Sequence, residues 1–162
     1  MTGPVEKDTL EIISNSPSET IQLGRRIGEA LKGGEVIALI GPLGSGKTHL
    51  IKGIAAGTGA TDANRVSSPT FVIVNEYLST GAGPDVYHID AYRIQSIAEF
   101  EMLGFDEFCR ADSVVVIEWA DKVAAALQNI DLIRIELSHI DETHRRIVLR
   151  NTPRRLCRIL NP

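Results

Sequence analysis

Val36-Ile37-Ala38-Leu39-Ile40-Gly41-Pro42-Leu43-Gly44-Ser45-Gly46-Lys47-Thr48 decides how this chain is read. The first five residues form a short unbroken apolar run, the pattern of a strand buried on both faces of a parallel sheet. Gly41 to Thr48 matches GxxxxGK[ST], and Lys47 to about Gly57 reads as a helix. From average residue frequencies, a chance match occurs about once in two hundred chains of this length. Strand, glycine loop and helix is also the setting that phosphate binding requires. The chain must curl so that successive backbone N–H groups converge on phosphate oxygens. Glycines permit that curl and leave room for the anion, and the helix N-terminus turns partial positive charge towards it. Gly41, Leu43, Gly44, Ser45 and Gly46 are then backbone contributors. Lys47 supplies a full charge near the β- and γ-phosphates, and the Thr48 hydroxyl is placed to ligate Mg²⁺. The expected ligands are a nucleoside triphosphate and Mg²⁺.

Working outward, Thr9 to Ser14 alternates weakly and reads as an edge strand. Ser16 or Ser18 is suited to cap a helix from about Glu19 to Lys32, stopped by Gly33-Gly34. Phe71–Tyr77 and Val86–Ile89 read as a strand pair around the loop chemistry of Ser79 to Pro84. Ile97 to Leu103 is a short helix ended by Gly104. Ser113 to Trp119 holds a second buried-type strand, and a helix over Lys122 to Gln128 follows. Leu132–Ser138 and Arg145–Arg150 form a hairpin. The fold class is α/β, a single P-loop NTPase-like domain with a mixed parallel and antiparallel sheet flanked by helices. Residues 1–150 are the domain and 151–162 a basic C-terminal tail.

A P-loop enzyme needs an acid near the metal at the end of a neighbouring strand. Glu118 closes Val114–Ile117 and stands where that acid belongs. Asp90 closes Val86–Ile89. It is suited either to orient or deprotonate an attacking water or to pair with Arg93 as a structural ion pair. Thr70, after Pro69, either reaches the γ-phosphate or Mg²⁺ from a switch-like loop or belongs to a strand-entry turn. Trp119, the only tryptophan, either stacks beside the nucleotide or packs the core. His49 reads as structural, and His139 and His144 as solvated turn residues.

The bulk composition sets the class. A length of 162 residues with 43% hydrophobic and 23% charged side chains suits one ordinary globular domain. No apolar run approaches the ~20 residues of a membrane span. The first residues lack the pattern of a signal peptide, so a cytoplasmic location is expected. Cys109 and Cys157 form no CxxC pair and read as free thiols. The net charge of −4 excludes a surface given over to nucleic-acid binding. Residues 145–158, however, hold six arginines and no acid, against 11 basic and 21 acidic residues elsewhere. That run is either a solvated solubilising tail or a contact for RNA or an acidic partner.

The P-loop, Ser68-Pro69-Thr70-Phe71, His88-x-Asp90-x-Tyr92-Arg93, Leu103-Gly104 and Glu118-Trp119 occur together, in this order, within a short chain. In that combination the chain resembles the TsaE (YjeE) family over about Thr20 to Arg150. Members are bacterial P-loop ATPases needed to make threonylcarbamoyladenosine in tRNA. The resemblance implies that the nucleotide is ATP, that Thr48 and Glu118 sit at Mg²⁺, that Asp90 supports hydrolysis and that Thr70 lies on a switch-like loop. It places Thr20 and Trp119 at the nucleotide. It implies TsaD and TsaB as partners, with tRNA met indirectly or through the arginine-rich tail. Pro42 departs from the acidic residue common at its position and Ser45 from the usual alanine. Both contribute mainly backbone.

Two other nucleotide chemistries share the loop. A small-molecule or nucleotide kinase needs an arginine-bearing lid, and Ser79–Pro84 is too short and uncharged for one. A GTP switch needs Asn-Lys-x-Asp, which does not occur. A nucleotide-gated binding module that barely turns over by itself is the reading from outside the enzyme class.

Overall fold

The computed structural model describes residues 7–60, 63, 66 and 73–161. Along the chain run β1 (Lys7–Ser14), α1 (Pro17–Ala30), β2 (Val36–Ile40), α2 (Lys47–Gly57), β3 (Val74–Tyr77), β4 (Asp85–Asp90), α3 (Ile97–Met102) and α4 (Phe105–Phe108). Then follow β5 (Ser113–Glu118), a 3₁₀ segment (Ala120–Leu127), β6 (Ile133–His139), β7 (Arg145–Pro153) and α5 (Arg154–Leu160).

The strands form one sheet in the order β1-β7-β6-β2-β5-β4-β3. β6, β2, β5 and β4 are parallel, while β7, β1 and β3 are antiparallel additions at the edges. The apolar runs take the buried centre because they can cover both faces. Ile37, Leu39, Val114 and Val116 face one layer with α1, α2 and α5. Val36, Ala38, Val115 and Ile117 face the other, with α3, α4 and the 3₁₀ segment.

Helix α1 begins earlier than expected. Ser16 caps it, accepting the Glu19 N–H at 3.2 Å, and Pro17 occupies the first turn, where no N–H is needed. Between α1 and α2 the backbones touch. Gly24 and Gly28 face Gly53 and Gly57, and a Cβ on Gly53 would lie 2.0 Å from the Ile21 carbonyl oxygen. This double G-x-x-x-G contact brings α1 against the helix that follows the P-loop.

Three expectations need correction. Of the 71–77 run, the strand among the described residues is Val74–Tyr77, with Ile73 outside it, and residues 71–72 lie outside the described residues. The expected helix over Lys122–Gln128 is a 3₁₀ segment starting at Ala120, with Val123 off helical geometry at φ −119°. The division at residue 150 falls inside β7, and α5 follows directly.

The arginine run is therefore no solvated tail. Leu156 and Leu160 of α5 are core residues. The arginines pair across elements: Arg146 with Glu11 at 2.8 Å, Arg150 with Glu136 at 3.7 Å, Arg154 with Asp8 at 3.3 Å and Arg155 with Glu35 at 2.9 Å. Such half-exposed pairs contribute at most about 1 kcal/mol each, so the buried leucines hold α5. Leu156→Ala is expected to lower unfolding free energy by about 2–4 kcal/mol, read from urea denaturation. A change under 1 kcal/mol would show that α5 is dispensable.

Cys109 and Cys157 are free thiols. Among the described residues no helix is long and apolar enough to cross a membrane.

Candidate nucleotide site

The loop after β2 turns into α2 through two left-handed glycines, Gly44 (φ 76°) and Gly46 (φ 100°). A side chain other than glycine is strained in that region. Gly46 is the N-cap of α2 and carries no side-chain cap, so the first N–H groups of the helix remain available to an anion. Lys47 is only 4% exposed. Its ammonium donates to the Gly41 carbonyl at 2.6 Å and the Pro42 carbonyl at 2.9 Å and lies 4.0 Å from the Trp119 ring centre. Burial pushes its pKa down, while the charges of Glu118, Asp121 and Asp90 oppose that shift.

Glu118 and Asp90 end adjacent parallel strands and are paired neighbours in the ladder, which brings two acids to the carboxyl edge beside the loop. Glu118 is buried, with one carboxylate oxygen 3.1 Å from His88 Nε2. Asp90 is buried too. Its Oδ1 accepts the Tyr92 N–H at 3.0 Å, and its Oδ2 has no hydrogen-bond partner among the described residues. Burial raises the Asp90 pKa, the Tyr92 N–H opposes this, and the Glu118 charge adds to the rise.

Immediately after Glu118 the backbone adopts φ 58° at Trp119, an arrangement costing a non-glycine residue about 1–3 kcal/mol. The turn sets the indole over Lys47 and 5.0 Å from the Tyr92 ring. Tyr92 is held in turn by Lys122, which donates to its carbonyl at 2.6 Å. Trp119 thus lies at the cleft and contributes to the core as well.

Glu118, Trp119 and Tyr92 border a cleft of about 660 Å³ that Thr20, Leu43, Gly44, Gly46, Lys47 and Thr48 also line, with Asp90 outside the lining as the ladder neighbour of Glu118; the volume is suited to a nucleotide. Thr20 is buried, and its hydroxyl lies 2.7 Å from that of Ser14, so it ties the start of α1 to β1 as well as facing the cleft. Ser45 is buried beneath the loop, outside the cleft lining, and its hydroxyl has no partner among the described residues. Thr70 lies outside the described residues. No group of three or more His, Cys, Asp or Glu side chains among the described residues could hold a metal by itself. Mg²⁺ in a nucleotide site would be held by one or two protein oxygens plus phosphate and water. Thr48 and Glu118 fit such a role, with the unpartnered Asp90 oxygen close by.

Two contributors gain their roles only in the fold. His88, visible in the sequence only as part of the His88-x-Asp90-x-Tyr92-Arg93 motif, is set against Glu118 once β4 and β5 pair. The β6–β7 hairpin reaches the loop from about a hundred residues away: Arg145 donates to the Gly44 carbonyl at 3.4 Å, and His139 Nε2 lies 3.4 Å from the Leu43 carbonyl. His139 is exposed and His144 partly so, as expected of turn residues, and both also have partners, His144 Nδ1 lying 2.8 Å from Asp141. No linear pattern signals these contacts.

With this geometry in place, the comparisons with known proteins are decisive. Residues 14–147 match the family model described as threonylcarbamoyl adenosine biosynthesis protein TsaE. The chain belongs to the TsaE family. It is 44% identical over 101 residues to a tRNA threonylcarbamoyladenosine biosynthesis protein TsaE of Streptomyces coelicolor, covering 62% of this chain and 66% of that one. It is 34% identical to the Aquifex aeolicus protein of the same name, covering 85% and 92%. The crystal structure of Bacillus subtilis YdiB superposes with a TM-score of 0.73 at 28% identity, covering 96% of this chain and 95% of that one. TsaE is a family of tRNA threonylcarbamoyladenosine biosynthesis, and its α/β fold with one mixed sheet is the fold found here.

Proposed function

We propose that this TsaE-family chain binds ATP with Mg²⁺ in the cleft and hydrolyses it. The hydrolysis supports threonylcarbamoyladenosine formation at position 37 of tRNAs that read codons beginning with A. The chain acts in the cytoplasm with TsaD and TsaB, and its turnover is weak until they engage it. The observation that carries the reading is the convergence of Lys47, Glu118 and Asp90 on one glycine loop at the carboxyl edge of three adjacent strands.

The chain's own groups divide the work. Loop N–H groups and the start of α2 bind the phosphates, and Lys47 stabilises negative charge on the leaving phosphoryl group. Thr48 and Glu118 hold Mg²⁺, which supplies further charge neutralisation when bound. Asp90 accepts a hydrogen bond from the attacking water through its unpartnered oxygen, and its raised pKa makes it a stronger base. Thr70, which lies outside the described residues, is assigned a role at the γ-phosphate or Mg²⁺ on the family resemblance alone.

Asp90→Ala is expected to keep ATP binding within a few-fold while slowing hydrolysis by about 10²–10⁴-fold, as seen by comparing calorimetric titration with phosphate release. Lost binding would make Asp90 structural. The function itself is tested by assaying ATP hydrolysis alone and with TsaB, TsaD and tRNA. A rate that rises with the partners supports the proposal. A fast rate indifferent to them, or transfer of phosphate to a small acceptor, would replace it with a kinase.

A further inference from the structure

We propose that His88 is a positioning residue of the metal site: its ring N–H fixes the Glu118 carboxylate and so sets how tightly Mg²⁺ is held with the nucleotide. The inference rests on the proposed Mg-ATP site and deepens it, since reading Glu118 as a metal ligand gives His88 no task.

The sheet register brings the two side chains together. In the parallel ladder of β4 and β5, His88 stands opposite Val116 and Asp90 opposite Glu118. Alternate residues share a face of a sheet, so all four project towards the layer that holds α1 and α2. His88 Nε2 lies 3.1 Å from Glu118 Oε2. An ionised carboxylate only accepts hydrogen bonds, so Nε2 carries the hydrogen and donates it. Glu118 makes no other side-chain hydrogen bond among the described residues, which leaves its second oxygen for the metal. Glu118 lines the cleft and His88 does not. The histidine therefore acts through the carboxylate, from behind it.

The histidine is itself held in place. It is 2% exposed, and its ring stacks on Tyr77 with centroids 6.4 Å apart and planes 24° apart. Its strand is paired on both sides, His88 standing opposite Asn75 of β3 and Val116 of β5. Nδ1 has no partner among the described residues, so the bond to Glu118 is the ring's one polar tie there. Burying a polar ring costs free energy that an apolar side chain would not, so packing gives no reason for histidine at this position. The metal gives one. Mg²⁺ demands near-octahedral geometry, and a carboxylate able to turn meets that demand only part of the time. Asp90, the ladder neighbour of Glu118, would also push an untethered carboxylate away. Partners that orient a metal ligand in this way typically contribute about 10–100-fold in metal affinity.

The test uses the full chain and a non-hydrolysable ATP analogue, titrated by calorimetry with excess Mg²⁺ and again with EDTA. The ratio of the two affinities is the gain due to the metal. His88→Gln carries an amide N–H as many bonds from Cα as the histidine Nε2, whereas His88→Asn offers the same amide one bond short of Glu118. The expected result is that His88→Asn loses about tenfold or more of the gain, that His88→Gln restores most of it, and that affinity in EDTA is unchanged in both. His88→Leu carries the same expectation as His88→Asn should circular dichroism show that the asparagine variant does not fold. Equal losses with and without Mg²⁺, equal losses in the glutamine and asparagine variants, or no loss in either would overturn the inference. A wild-type chain that gains nothing from Mg²⁺ would overturn it together with the metal role of Glu118 and leave the phosphate site standing. No binding of the analogue by the wild type would remove the proposed function and this inference together.

Discussion

Lys47→Ala should abolish productive ATP binding. The ammonium is almost fully buried, at 4% exposure, and its partners are two loop carbonyls and the face of Trp119. Nothing else in the loop carries a positive charge, while Glu118, Asp121 and Asp90 all press negative charge on the same spot. Removing the lysine therefore takes away the main attraction for the phosphates and leaves the acids to repel them. Truncating one member of a buried, hydrogen-bonded charge pair costs about 2–5 kcal/mol. That is a loss of about 30-fold to about 4,000-fold in affinity. Calorimetric titration of Mg-ATP into wild type and variant is the appropriate measurement, because the variant also removes the cation from the face of Trp119 and would change its fluorescence directly. Affinity within threefold of wild type would mean that the cleft does not use Lys47 and that the P-loop reading is wrong.

The second large effect is expected far from the chemistry, at Gly53. A Cβ there would lie 2.0 Å from the Ile21 carbonyl and 2.8 Å from the Arg25 nitrogen, both backbone atoms that no rotamer change can move aside. Ordinary contact begins at 3.4 Å, so α1 and α2 must part by about 1 Å or more. Parting them loosens Leu23, Ile27, Leu50 and Ile54, which are packed in the same layer. Gly53→Ala gains about 1 kcal/mol of helix propensity. Overpacking costs about 3 kcal/mol or more at a contact as tight as this one. The strain wins by roughly 2 kcal/mol, a fall in Tm of about 4–8 °C for a chain of this size. Gly81→Ala is the matched control, since nothing lies within 4 Å of a Cβ there, and it should change stability by less than about 0.5 kcal/mol. Equal Tm values for the two variants would show that the close helix contact carries no stability.

The two predictions sample different kinds of legibility. Lys47 could be read directly, because a phosphate loop is a local device: its glycines, its lysine and the first residues of the helix it starts lie within eight consecutive residues. The central strands were equally legible, since a strand buried on both faces must be apolar throughout. Glu118 and Asp90 could be located at the strand ends because each closes such a run. The glycines of α1 and α2 were in plain view, yet G-x-x-x-G has no meaning until another helix lies against it. The arginine run misled for a related reason. Charge counted along the chain suggested either a solvated basic tail or a contact for RNA or an acidic partner, but Asp8 and Glu11 of β1, Glu35 and Glu136 come from three distant parts of the sequence and meet those arginines only in the folded sheet and its flanking helix.

By itself, then, the sequence determined the α/β class, the phosphate loop, the two acids beside it and the resemblance to a tRNA-modification family, all of them carried by short-range patterns. Only the tertiary structure decided that His88 meets Glu118, that α5 belongs to the core, and that the β6–β7 hairpin crosses to the glycine loop. The physical reason is common to all three. Each depends on which strands are neighbours in the sheet and how the helices close over it, and that choice is made by burying the whole apolar surface at once, not by the residues on either side of the position concerned.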